Sequence, residues 1–120
     1  MNALLDTSIL IDYLKAIPQG QQELDRYTQL SISLITWMEI MVGARPEHVA
    51  ATRAALLSFQ CLPISQPVAE RAFVLRRDQK LKLPDAIILA TAQHHGLLFV
   101  TRNTRDFSPT DTHIRIPYKI

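Results

Sequence analysis

Short apolar runs set apart by helix-like segments constrain this chain more than any other feature. Residues 2–5 (NALL), 62–64 (LPI) and 97–101 (LLFVT) have the length and apolar content of buried strands, and 30–34 (LSISL) alternates like one. Between them, residues 7–15 read as a helix with Leu10, Ile11 and Leu14 on one face, ended by Pro18 and Gly20. Residues 21–29 read as a polar helix, 36–43 (TWMEIMVG) as a short one, and Pro46 opens another reaching about residue 59. Pro67 sits in the first turn of a long helix to about residue 82. LKLPDAIILATAQHHG repeats that grammar, with Pro84 at the start and Gly96 as the stop. The tail HIRIPYKI reads as an edge strand, because Pro117 cannot donate to a central ladder. Strands alternating with helices imply parallel βαβ units, hence an α/β fold with a central parallel sheet flanked by helices. Function in such sheets gathers beyond the carboxyl ends of the strands. That puts Asp6, residues 33–39 and residues 103–106 on one rim.

The chain of 120 residues supports one core, so residues 1–120 are read as a single domain. With 48% apolar and 20% charged residues the composition is globular. Cys61 is the sole cysteine, which excludes an intrachain disulfide and makes a reducing, cytoplasmic setting the expectation. The first residues lack the basic segment and cleavage pattern of a signal peptide. No apolar run approaches the roughly 20 residues of a membrane span, so no membrane partner is expected. A net charge of +2 permits a nucleic-acid partner without requiring one.

The acidic residues on the rim each have an ordinary explanation. Asp6 follows a strand and precedes a helix, the position of an N-cap. Glu39 lies three residues after Thr36, and T-W-M-E fits a capping box. Asp85 follows Pro84 in a first helical turn, where the macrodipole favours a carboxylate. The apolar helix behind it should be buried, which makes that carboxylate harder to dismiss. Asn103 and Asp106 are common turn formers, and Asp106 is placed to pair with Arg102 or Arg105. The conjunction matters more. Carboxylates that converge repel one another, and a divalent cation resolves the repulsion. Oxygen ligands without histidine favour Mg²⁺ or Mn²⁺, which activate water and stabilise charge on a phosphoryl group.

LLDTSILIDYL, TWMEIMVGA, LPDAIILATA and LLFVTRNTRDF, in that order, resemble PIN domains, and most closely the VapC-like toxins of type II toxin–antitoxin pairs. The resemblance covers essentially the whole chain. It implies a PIN-like α/β/α sandwich and a Mg²⁺- or Mn²⁺-dependent endoribonuclease acting on structured RNA such as tRNA or rRNA. It also implies a homodimer neutralised by an antitoxin protein, and a larger toxin–antitoxin assembly on DNA through that antitoxin. Carried over residue by residue, the catalytic set is Asp6, Glu39, Asp85, Asn103 and Asp106. Asp6 and Asp85 are the expected metal ligands, and Glu39 orients or deprotonates the attacking water. Many relatives carry Asp where this chain has Asn103, so the fourth acid is either that position or Asp106. Thr7 and Ser8 match hydroxyl positions after the first Asp, and with Thr101, Arg102 and Arg105 are candidate substrate contacts.

Other residues are read more plainly. Asp12 is expected to face solvent. His94 and His95 suit a helix C-terminus. Trp37 and Met38 are read as packing or interface residues. Arg71, Arg76, Arg77, Lys80 and Lys82 form either a solvated face or a set of phosphate contacts. Two rival functions remain: a catalytically silent PIN-fold module that binds RNA or protein, and a phosphatase-like enzyme with an aspartyl nucleophile. The missing lysine and glycine-rich signals weigh against the second.

Overall fold

The computed structural model describes residues 2–108 and 110–120. In chain order the elements are β1 (Asn2–Leu5), α1 (Thr7–Leu14), α2 (Pro18–Leu24), β2 (Gln29–Ser33) and α3 (Leu34–Gly43). A 3-10 turn (Pro46–His48) then leads into α4 (Val49–Leu56) and β3 (Gln60–Leu62). The chain ends with α5 (Gln66–Gln79), α6 (Leu83–His95), β4 (Leu98–Val100) and β5 (Ile114–Arg115). The strands form one sheet in the order β3-β2-β1-β4-β5, and every neighbouring pair is parallel. The expected α/β/α sandwich with a central parallel sheet is therefore present, and the tail supplies its edge strand.

β1 lies in the middle, and its side chains alternate between two cores as the pleat requires. Leu4 packs on one face with Val68, Leu75, Ile88 and Phe99, beneath α5 and α6. Ala3 and Leu5 pack on the other with Ile9, Leu10, Ile32 and Phe59, beneath α1, α3 and α4. α6 is buried along most of its length, as its apolar sequence requires. Burying each large side chain contributes about 1.5–3 kcal/mol. Among the described residues, no helix is long and apolar enough to cross a membrane.

Several sequence expectations are corrected. α1 buries Ile9 and Leu10, while Ile11 and Leu14 are 37% exposed, so the inward face is rotated from the one expected. Pro18 and Gly20 do not separate helices but belong to α2, with Pro18 in its first turn. Gly20 is required there because a Cβ would lie 2.9 Å from the backbone nitrogen of Tyr13. The segment 46–59 divides into a 3-10 turn and a helix ending at Leu56. β3 lies at Gln60–Leu62, earlier than residues 62–64. α3 begins before Thr36: Ser33 is its N-cap and accepts a hydrogen bond from the Ile35 N–H at 3.2 Å. The expected capping box is therefore absent, and Glu39 lies inside the helix with its side chain available for other contacts.

Two polar ties hold the C-terminal segment. Arg115 on β5 donates from Nε and Nη2 to the buried carboxylate of Glu23 on α2, at 2.7 and 3.1 Å. Tyr27 donates its hydroxyl to the same carboxylate. Burial alone would raise the Glu23 pKa, but the hydrogen bonds from Arg115 and Tyr27 outweigh it and hold the carboxyl below its ordinary range. The second tie joins Tyr118 to Asp12 on α1, at 2.8 Å.

Candidate functional site

Asp6 stands where β1 becomes α1, and its backbone N–H donates to the Val100 carbonyl of β4 at 2.8 Å. Its Oδ1 accepts the Thr7 N–H at 2.9 Å, so it caps α1. Its Oδ2 has a different task, accepting the Thr101 hydroxyl at 2.6 Å and the Ser8 hydroxyl at 3.4 Å. The carboxyl is 5% exposed. Burial pushes its pKa up, the Thr101, Thr7 and Ser8 hydrogen bonds oppose that, and the charge of Glu39 adds to the rise.

Glu39 projects from α3 toward the start of α1. The Thr7 hydroxyl donates to its Oε1 at 2.7 Å and lies 3.0 Å from the hydroxyl of fully buried Thr36. Because the Thr7 proton points to the carboxylate, Thr36 donates to Thr7. The two hydroxyls thus form a chain that fixes one Glu39 oxygen and leaves the other to the cleft.

Asp85 sits in the first turn of α6, after the cap residue Lys82 and Pro84. Its pKa is pushed up to about 6, by burial first and then by the charges of Asp6, Asp106 and Glu39, with Lys82 opposing. Three carboxylates from separate parts of the chain therefore act on Asp85 at one cleft, and Glu39 acts on Asp6 as well. That cleft holds about 560 Å³ between Glu39, Asp85, Asp106, Lys82 and Arg105. It lies beyond the carboxyl ends of β1 and β4, the rim expected for an open parallel sheet.

Asn103 organises the loop after β4. Its Oδ1 accepts the backbone N–H groups of Arg105 and Asp106 at 3.1 and 3.2 Å, and its Nδ2 donates to Asp106 Oδ2 at 2.9 Å. Its carbonyl oxygen is thereby engaged by the loop itself. The charge that reaches Asp85 comes from Asp106. Thr7, Ser8 and Thr101 direct their hydroxyls onto site carboxylates.

Two expectations about charge pairing fail. Asp106 pairs with neither Arg102 nor Arg105, because Asn103 holds it. Arg102 instead binds Asp12 through Nε at 2.6 Å and Nη2 at 3.3 Å. Asp12 is 3% exposed and does not face solvent. Of the cations at positions 71–82, Lys82 lines the cleft, whereas Arg71 donates to Gln93 and Arg77 to Asp78. Trp37 is part-buried under the Arg53 guanidinium, 5.3 Å from the ring centroid, which fits a packing role. His94 and His95 occupy the last turn of α6 as expected. Thr36 and Asp12 were not legible as supports: one resembled a cap, and the other's partners lie 90 and 106 residues away.

The donor chemistry of the cleft suits a hard divalent cation, being carboxylate oxygen without imidazole or thiol. Among the described residues, no three acidic, histidine or cysteine side chains already stand together as a metal cage.

Fold and rim define the class: an open parallel α/β protein with a carboxylate-lined cleft at the carboxyl end of its sheet. The PIN domain matches residues 3–112. The tRNA(fMet)-specific endonuclease VapC of Shigella flexneri is 30% identical over 116 residues, covering 87% of this chain and 88% of the relative. A toxin–antitoxin complex from Klebsiella pneumoniae contains a chain 52% identical, with a TM-score of 0.92, covering 98% of this chain and 99% of that one. FitAcB from Neisseria gonorrhoeae is 26% identical with a TM-score of 0.81, covering 100% of both chains. The chain belongs to the PIN-domain family, in its VapC-like branch.

Proposed function

We propose that this protein is a metal-dependent endoribonuclease, the toxin of a type II toxin–antitoxin pair. The observation that carries the reading is the gathering of carboxylates at one cleft: Glu39, Asp85 and Asp106 line it and buried Asp6 stands behind it, with the Asp85 pKa pushed up to about 6 by burial and by these neighbours. A set of carboxylates in that condition gains from a bound cation. Asp6 and Asp85 are the proposed ligands for Mg²⁺, or Mn²⁺, with Asp106 in support. The ion supplies Lewis acidity toward a phosphate oxygen when bound.

The protein's own residues do the rest. Thr7, backed by Thr36, holds Glu39 Oε1, so Glu39 Oε2 receives the proton of the attacking water. Lys82 and Arg105 stand on the cleft wall, where their charges meet RNA phosphates. Hydrolysis by water leaves a 5′-phosphate and a 3′-hydroxyl. The name of the Shigella flexneri relative supports tRNA as the substrate class, and the Klebsiella pneumoniae complex supports an antitoxin partner. A homodimer, and attachment of the toxin–antitoxin assembly to DNA through the antitoxin, belong to the same reading.

The test is cleavage of tRNA, rRNA and total RNA by the purified protein with Mg²⁺ or Mn²⁺, with EDTA, and with Asp6→Ala prepared identically. Cleavage requiring both the ion and Asp6 supports the reading. Equal cleavage by the variant, or a 2′,3′-cyclic phosphate product, overturns it. RNA binding without cleavage by any folded preparation assigns the protein to the silent-module class.

A further inference from the structure

Asp12, Arg102 and Tyr118 form a unit beside the cleft. Asp12 is a buried carboxylate on α1 that takes no part in the acidic site. It accepts Nε and Nη2 of Arg102 and the hydroxyl of Tyr118. The Arg102 side chain is 31% exposed and lines the cleft. Among the described residues its Nη1 has no hydrogen-bond partner. The Arg102 backbone N–H is itself anchored, donating to the Ser8 hydroxyl at 3.3 Å. One edge of the guanidinium is thus fixed by a buried acid, and the Nη1 donors are left at the rim of the proposed phosphodiester-cleaving site. Arginine held in this way loses little rotamer freedom when it meets a phosphate.

We infer that Asp12 is a positioning residue for RNA binding: supported by Tyr118 of the C-terminal tail, it presets Arg102 as a phosphate contact at the mouth of the cleft. The inference rests on the nuclease reading for its ligand, an RNA backbone. It makes a prediction opposite in sign to simple electrostatics. Removing a negative charge beside a polyanion's binding site tightens binding if only the net field matters. If Asp12 holds Arg102 in place, the same change weakens it.

The experiment measures binding of a fluorescent single-stranded oligoribonucleotide in EDTA, over a series of salt concentrations and below the melting temperature of every variant. Arg102→Ala is expected to weaken binding about tenfold, the loss of one charge-assisted hydrogen bond. It should also reduce the salt slope by about 0.7, the value for one phosphate on a single strand. Asp12→Asn is expected to weaken binding in the same direction although Arg102 and its charge remain. The double variant should be no weaker than Arg102→Ala alone. Tyr118→Phe, which changes no charge, should give a smaller loss. Unchanged or tighter binding by Asp12→Asn overturns the inference and leaves the nuclease reading intact. Failure of the folded wild type to bind this RNA in EDTA overturns the inference, whereas the nuclease reading falls only if cleavage of tRNA, rRNA and total RNA with Mg²⁺ or Mn²⁺ fails as well.

Discussion

Asp6 carries two functions on two oxygens, and they are separable. Asp6→Asn keeps a side-chain oxygen for the cap and removes the buried charge. It is expected to abolish RNA cleavage and to keep the cap, while its amide meets the Thr101 hydroxyl that donated to Oδ2, whereas Asp6→Ala should lose activity and about 1 kcal/mol of cap energy. Thermal melts beside cleavage assays check both. Asp85 offers a second separation. A carboxyl with a raised folded pKa stabilises the fold fully below its unfolded value of 3.8, and that contribution is lost as pH rises through about 6. At neutral pH its charge is therefore a cost, and Asp85→Asn should stabilise the protein in EDTA. After allowance for solvent screening the gain is about 1 kcal/mol, or a few degrees in melting temperature, and it should vanish near pH 4. A melting series over pH in EDTA checks the sign. Asp6, Asp85 and Asp106 stood out because they follow strand ends or open a helix, and Glu39, inside α3, stood out only through the family resemblance. Their supports were not legible. Thr36 sat in an apparent capping box, and Asp12 looked like an ordinary helix-surface acid, because a partner far away in sequence leaves no local pattern.

At the scale of elements, the short apolar runs and the proline and glycine stops revealed the order of strands and helices, and Lys80 and Gly96 close α5 and α6 in the left-handed conformation. The misreadings came where a local signal had two meanings. Pro18 is as much a first-turn residue as a breaker, and Gly20 is required by the packing of α2 against α1 and not by a turn. Gly20→Ala tests this. Helix propensity alone favours alanine by about 1 kcal/mol. The contact of its Cβ with the Tyr13 backbone opposes that, and overpacking costs about 1–3 kcal/mol. The expected result is a net loss on the order of 1 kcal/mol, read from the urea midpoint. A stabilised variant would show that α2 can shift away from α1.

For the whole molecule, the sandwich and its parallel sheet were legible, but the closure of the C-terminal segment was not, because it depends on Glu23 and Asp12 being buried. Arg115→Ala leaves the Glu23 carboxylate buried with Tyr27 and a more distant Arg26, 3.8 Å away. Breaking a fully buried pair costs about 3–5 kcal/mol, and the partial exposure of Arg115 brings the expectation to about 2 kcal/mol. A carboxyl held below its ordinary range stabilises the fold at neutral pH and loses that contribution as pH falls through its folded pKa. The difference between wild type and variant should therefore shrink in acid, which urea titrations at two pH values would show. The sheet order has one more consequence, for synthesis. β1 is made first but occupies the centre, and its neighbour β4 begins at Leu98. At about 5–20 residues per second, Asp6 waits several seconds on the ribosome for Thr101, its hydroxyl partner. A nascent chain stalled before that point holds three of the four acids and lacks the loop after β4 that walls the cleft, so on the proposed reading no nuclease site forms until β4 has been made.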